Sequence, residues 1–164
     1  MPIGMESFDK LIVFLSEKLK VLGAIFLFGM AALTCVDVVG RLAGYPIFGA
    51  VELVSFMGAC AVALALPITQ VRKGHVGVEL FTSRLPTRLR LLLYLLTETL
   101  SLALFVVITW RMFLFGQRLR ASGEVSMNLH LPEYVIVYAL ACCCAVLCLV
   151  FLSSIFKTLR KLSY

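Results

Sequence analysis

The sequence predicts an all-α integral membrane protein with four transmembrane helices, and three observations carry that expectation. Hydrophobic residues make up 62% of the 164 residues and charged residues only 15%, with a mean hydropathy of +1.03, which leaves too little polar material to coat a soluble globule. The apolar residues gather into four runs, each long enough for a helix of about 20 residues to cross a bilayer. The connections between the runs are short, so the chain reads as one membrane domain over 1–164 with no internal repeat and no low-complexity segment.

The N-terminal segment comes first. Phe8, Leu11, Ile12, Leu15 and Leu19 recur at helical spacing, with Glu6, Asp9, Lys10, Glu17 and Lys20 mostly on the other side. Two readings fit equally: an amphipathic helix lying in the membrane interface and leading into the first span, or an extension of that span into the cytoplasm. A signal peptide is not expected. Three acids precede the apolar run, which ends in Asp37 and Arg41 rather than in a small-residue cleavage site.

The spans are expected at about 21–40, 50–71, 91–115 and 133–156. The third exceeds one bilayer thickness and should tilt or project. Trp110 beside Arg111 reads as an interfacial anchor near its outer end, with Tyr45, Tyr134 and Tyr138 at the same level. Pro132 suits the first turn of the fourth span.

Basic residues set the orientation. Eleven of the fifteen Lys and Arg fall in the N-terminal segment, the connection between the second and third spans, and the C-terminal tail. The other four are Arg41, Arg111, Arg118 and Arg120. The positive-inside rule then places both termini and the middle connection in the cytoplasm. The net charge of +6 reflects topology and lipid contact, and no fold or motif presents a basic face to nucleic acid.

Polar residues within the spans are the functional candidates. Asp37 and Arg41 stand four apart, so on a helix they share a face and can pair. The pair reads as a structural or partner contact rather than a substrate site, with snorkelling of Arg41 to water as the plainer alternative. Gly44, Pro46 and Gly49 form a short turn after it. Glu52 either completes the Asp37–Arg41 cluster or is an ordinary first-turn acid favoured by the helix dipole, and both readings can hold together. Pro67 removes a backbone hydrogen bond and is expected to bend the second span before Gln70, Arg72 and Lys73 reach water. Glu98 lies among Thr97, Thr99 and Ser101 in the third span, where an unpaired carboxylate would cost a few kcal/mol. A buried contact to another helix or subunit is the expected outcome, ahead of proton coupling.

Nothing points to catalysis, a metal or a cofactor. Cys142, Cys143, Cys144 and Cys148 cluster in the middle of the fourth span, where thiols act as small packing groups, and Cys35 and Cys60 also lie inside spans, so no disulfide framework is indicated. His75 and His130 fall in connections, away from the axial positions a membrane haem requires. No nucleophile elbow, phosphate loop or zinc-ligand spacing is present.

The order D-V-V-G-R from Asp37, P-I-F-G-x-x-E-L from Pro46, L-P-I-T from Leu66 and R-K-G-H-V-x-V-E-L from Arg72 resembles the small membrane subunit, DctQ-type, of tripartite ATP-independent periplasmic (TRAP) transporters. The likeness extends through Leu85-Pro86 and, more loosely, over Ser126 to Pro132. It implies a bacterial inner-membrane scaffold for uptake of an organic anion, sodium-coupled, with the coupling sodium on a large membrane subunit and the substrate delivered by a periplasmic binding protein. Because the chain stops at Tyr164, that large subunit is expected to be a separate polypeptide. The resemblance adds His75 to the contact candidates. Two other classes stay open at this point: a self-sufficient four-span exporter, which needs an acid deep in its first span, and a membrane-anchor subunit of a respiratory complex.

Overall fold

In the computed structural model, residues 3–72 and 87–162 are described, with side chains over 10–72 and 89–159. They form α1 (Ile3–Leu42), α2 (Ala50–Val71), α3 (Thr87–Ser122) and α4 (Glu133–Leu162). Each contains a stretch long and apolar enough to cross a membrane, so the chain is a multi-pass membrane protein. Lys73 and His75 lie outside the described residues.

α1 and α3 outrun the apolar spans, and glycine ends each of them. α1 runs unbroken for 40 residues, about 60 Å of helix axis. No turn divides its N-terminal part from the span, so that segment is an extension of the span rather than a separate interfacial helix. α1 stops at Gly44, whose φ of 82° lets Tyr45 N–H donate to Gly40 O at 2.7 Å and Gly44 N–H to Arg41 O at 3.1 Å. This is the left-handed cap that glycine supplies without a Cβ penalty. α3 ends the same way at Gly123, where Glu124 N–H donates to Leu119 O at 3.3 Å. It therefore continues past residue 115, through Gln117, Arg118 and Arg120, all good helix formers. Trp110 accordingly sits twelve residues before the helix end.

The helices stand in the order α1, α2, α4, α3, each packed along its neighbours. α1 and α3 are the two ends of this row and do not pack along one another among the described residues. Small residues bring α1 and α2 together: a Cβ on Gly23 would lie 3.1 Å from Leu64 Cβ and 3.2 Å from Ala61 O, the close approach by which membrane helices gain packing energy without a hydrophobic effect. The core joins three helices, with Leu19 and Phe26 of α1, Cys60, Ala63 and Leu64 of α2, and Leu140 and Cys143 of α4. α3 packs on α4 through Phe105 and Phe151, whose rings stack at 5.7 Å, and through Phe113 and Tyr138 at 5.6 Å. Away from these seams the surface is apolar. Phe28, for example, is 79% exposed, an arrangement suited to lipid or a membrane partner.

Candidate functional site

Polar groups collect towards the two ends of the helix axes and are scarce between them. At one end lie the 43–49 and 123–132 connections, here called the loop side. Asp37, in the last turns of α1, is 7% exposed. Its Oδ2 accepts from Arg41 Nε at 2.8 Å, the pairing the spacing predicts. Its Oδ1 accepts from Ile47 N–H at 3.0 Å, so the same carboxylate also ties down the turn into α2. Arg41 leaves 55% of its side chain exposed. It snorkels while paired, which makes the ion pair a partly solvated one.

Glu52 does not join that cluster. Its carboxylate turns to the α3–α4 connection, where Oε2 accepts from Ser126 Oγ at 2.9 Å and from Leu129 N–H at 3.2 Å. Oε1 accepts from Asn128 N–H at 2.9 Å and from Asn128 Nδ2 at 3.0 Å. The connection is preformed to offer these donors. Ser126, 3% exposed, gives its N–H to Leu131 O at 2.9 Å and takes Leu131 N–H on Oγ at 3.3 Å, while Val125 bridges Pro132. Gly49 lets the loop close on α2: it caps the helix at φ 73°, and a Cβ there would meet Leu129 Cγ at 2.5 Å. Glu52 remains a first-turn acid, favoured by the α2 dipole, but its partners lie 74 to 77 residues away.

At the opposite end, Glu98 is 4% exposed and its Oε1 accepts from Gln70 Nε2 at 2.9 Å, joining α3 to the last turns of α2. Glu98 Oε2 and Ser16 Oγ are buried without a hydrogen-bond partner among the described residues. Pro67, one turn before Gln70, is fully buried, and α2 stays helical through it. Arg72 donates to Glu17 Oε1 at 3.1 Å, and Lys20 lies 3.6 Å from Glu17 Oε2, so the end of α2 is also linked to the body of α1. Tyr94 Oη and Ser154 Oγ, 3.1 Å apart, connect α3 and α4. Cys143 and Cys144 are buried packing groups, whereas Cys35 and Cys142 are exposed. Among the described residues no three His, Cys, Asp or Glu side chains assemble as a metal site.

The candidates thus separate into two groups, Asp37, Arg41 and Glu52 on the loop side and Pro67, Gln70, Arg72 and Glu98 at the other end. Residues 30–161 match the family model described as "Tripartite ATP-independent periplasmic transporters, DctQ component". The chain belongs to the DctQ family. It is the small component of a TRAP transporter, in a family of transport components rather than enzymes. No match is found among curated proteins or solved structures. The matched region holds both loop-side anchors and the Gln70–Glu98 contact.

Sequence reasoning missed Ser126, Asn128 and Glu17. Ser126 and Asn128 carried a usable signal, being polar side chains in a short connection between two apolar helices. Glu17 carried none, since its pairing depends on how α1 and α2 register.

These bonds rank the loop-side variants. Glu52→Ala strips an acceptor from four donors and should free the 123–132 connection, raising its cleavage by added protease roughly tenfold or more. Asp37→Ala should lower Tm more than Arg41→Ala, because it also orphans Ile47 N–H. Limited proteolysis and thermal unfolding in detergent check both, and unchanged cleavage in Glu52→Ala would refute the anchoring role.

Proposed function

We propose that this DctQ chain is a scaffold: it packs against the large membrane subunit and serves a periplasmic binding protein in sodium-coupled uptake of an organic anion, with the sodium bound by the large subunit. The observation that carries this reading is how the acids are used. Asp37 and Glu52 bind the chain's own turns, and Glu98 meets Gln70 of a neighbouring helix. No described polar path runs from these acids through the membrane. Asp37 also sits beside a compensating Arg41 at the end of α1, unlike the deep, uncompensated acid a self-sufficient exporter needs. The open row with its apolar faces supports a role in which a larger partner covers one of them. Family membership supports the tripartite setting.

The inner membrane is the proposed location, with both termini cytoplasmic and the loop side periplasmic. The distribution of basic residues supports that orientation. The Asp37 and Glu52 loops then face the compartment from which a binding protein approaches.

Two measurements test the proposal. In liposomes under a sodium gradient, the purified chain alone should move no organic anion, and adding the large subunit with a loaded binding protein should restore uptake. Robust transport by the chain alone would remove the scaffold reading. Separately, reporters fused after Ser83 and after Tyr164 should read cytoplasmic and one after Ser126 periplasmic. The reverse pattern would invert the proposed orientation.

A further inference from the structure

Between α3 and α4, in the half of the molecule nearer the loop side, runs a groove of about 1170 Å³. It exists because of what the two helices carry. α4 presents Ala141, Ala145 and Cys148 at helical spacing, too small to fill the space opposite Val106, Thr109 and Phe113 of α3. The floor is apolar in effect, since the Thr109 hydroxyl is spent on Phe105 O at 2.7 Å. Trp110 and Tyr138 add aromatic wall, and Gln117 and Arg120 stand at the loop-side mouth. Beyond Val106 and Cys148 the stacked rings of Phe105 and Phe151 bring the helices together.

We propose that this groove binds one phospholipid of the loop-side leaflet, with its phosphate on Arg120 and one acyl chain laid over Ala141, Ala145 and Cys148. The length fits. From Val106 to Arg120 the helix rises about 21 Å, close to one leaflet with its headgroup zone, about 20–22 Å. A spanning helix of a partner would instead need a channel of about 30 Å, longer than the stretch from Val106 to Arg120 that lines the groove. The charge fits as well. Arg120 makes no ion pair among the described residues, and a guanidinium takes a phosphodiester through two parallel hydrogen bonds. Its place in the last turn of α3 favours a cation there before any ligand arrives.

The test uses the full chain assembled in nanodiscs of phosphatidylethanolamine and phosphatidylglycerol, extracted into mild detergent and read by native mass spectrometry. The wild-type chain should retain one phospholipid. Ala145→Phe, which fills the groove, should abolish that retention, while Ala32→Phe on the exposed side of α1 should leave it intact. Arg120→Ala, at an exposed position that the fold does not need, should weaken retention by about tenfold or more, since one charge-assisted hydrogen bond alone accounts for that factor and two are lost. Arg120→Lys should restore part of it. Equal retention in the wild type, Ala145→Phe and Arg120→Ala would mean nonspecific lipid and would overturn the site. So would a wild-type chain that carries none, or an Ala145→Phe chain that keeps its lipid but no longer co-purifies with the large subunit, which would assign the groove to a protein partner.

Discussion

A carboxylate at the edge of a membrane must be surrounded by donors or leave the low-dielectric region, and Glu52 meets that demand from a single loop. Four hydrogen bonds from Ser126, Asn128 and Leu129 converge on it. Since Glu52 belongs to the α1–α2 hairpin and the loop to the α3–α4 hairpin, those bonds join the two halves of the molecule. Gln70 and Glu98 join them again at the other end of α2. Between the two polar ties, Ala63, Leu64 and Cys143 supply the apolar contact. α2 is therefore the element the others are registered against, held at its first turn, its middle and its last turns. Arg72 extends the same logic to α1 through Glu17.

Tying two hairpins side by side leaves α1 and α3 as the edges of a row rather than closing a ring. The result is a protein with much apolar surface and little interior. Such a shape cannot enclose a polar substrate among its described residues, but it can present a long, fixed face to another membrane protein. The polar groups that would be expensive in lipid are used to fix that face in position. The Oε2 of Glu98, without a hydrogen-bond partner among the described residues, marks the least satisfied point of the Gln70–Glu98 tie, while Asp37 and Glu52 each accept on both oxygens.

Much of the architecture was legible in the sequence because length and hydropathy dictate it. Four helices, the Gly44 stop and the Asp37–Arg41 pairing all follow from local rules: spacing of four along a helix, and glycine where φ must be positive. The destination of Glu52 was not legible. Its first-turn position was, yet choosing between Arg41 and a loop 74 residues away depends on which hairpins lie side by side, and no local periodicity encodes that. The end of α3 lies beyond the expected span for a related reason. Hydropathy fades near residue 115, but helix geometry persists through Arg118 and Arg120 until Gly123 ends it. The Arg41 side chain also proved more exposed than a locked pair requires, because the helix end lies where water is within its reach.

The central claim is that the loop-side acids of this DctQ chain hold architecture and do not touch substrate. The most direct measurement takes Glu52→Ala in the assembled transporter and reads two quantities together: the amount of large subunit that co-purifies, and the half-saturation concentration for uptake by the complex that survives. A fall in assembled complex with an unchanged half-saturation concentration is the predicted result. A normal amount of complex with a strongly raised half-saturation concentration would contradict it and place Glu52 on the substrate path.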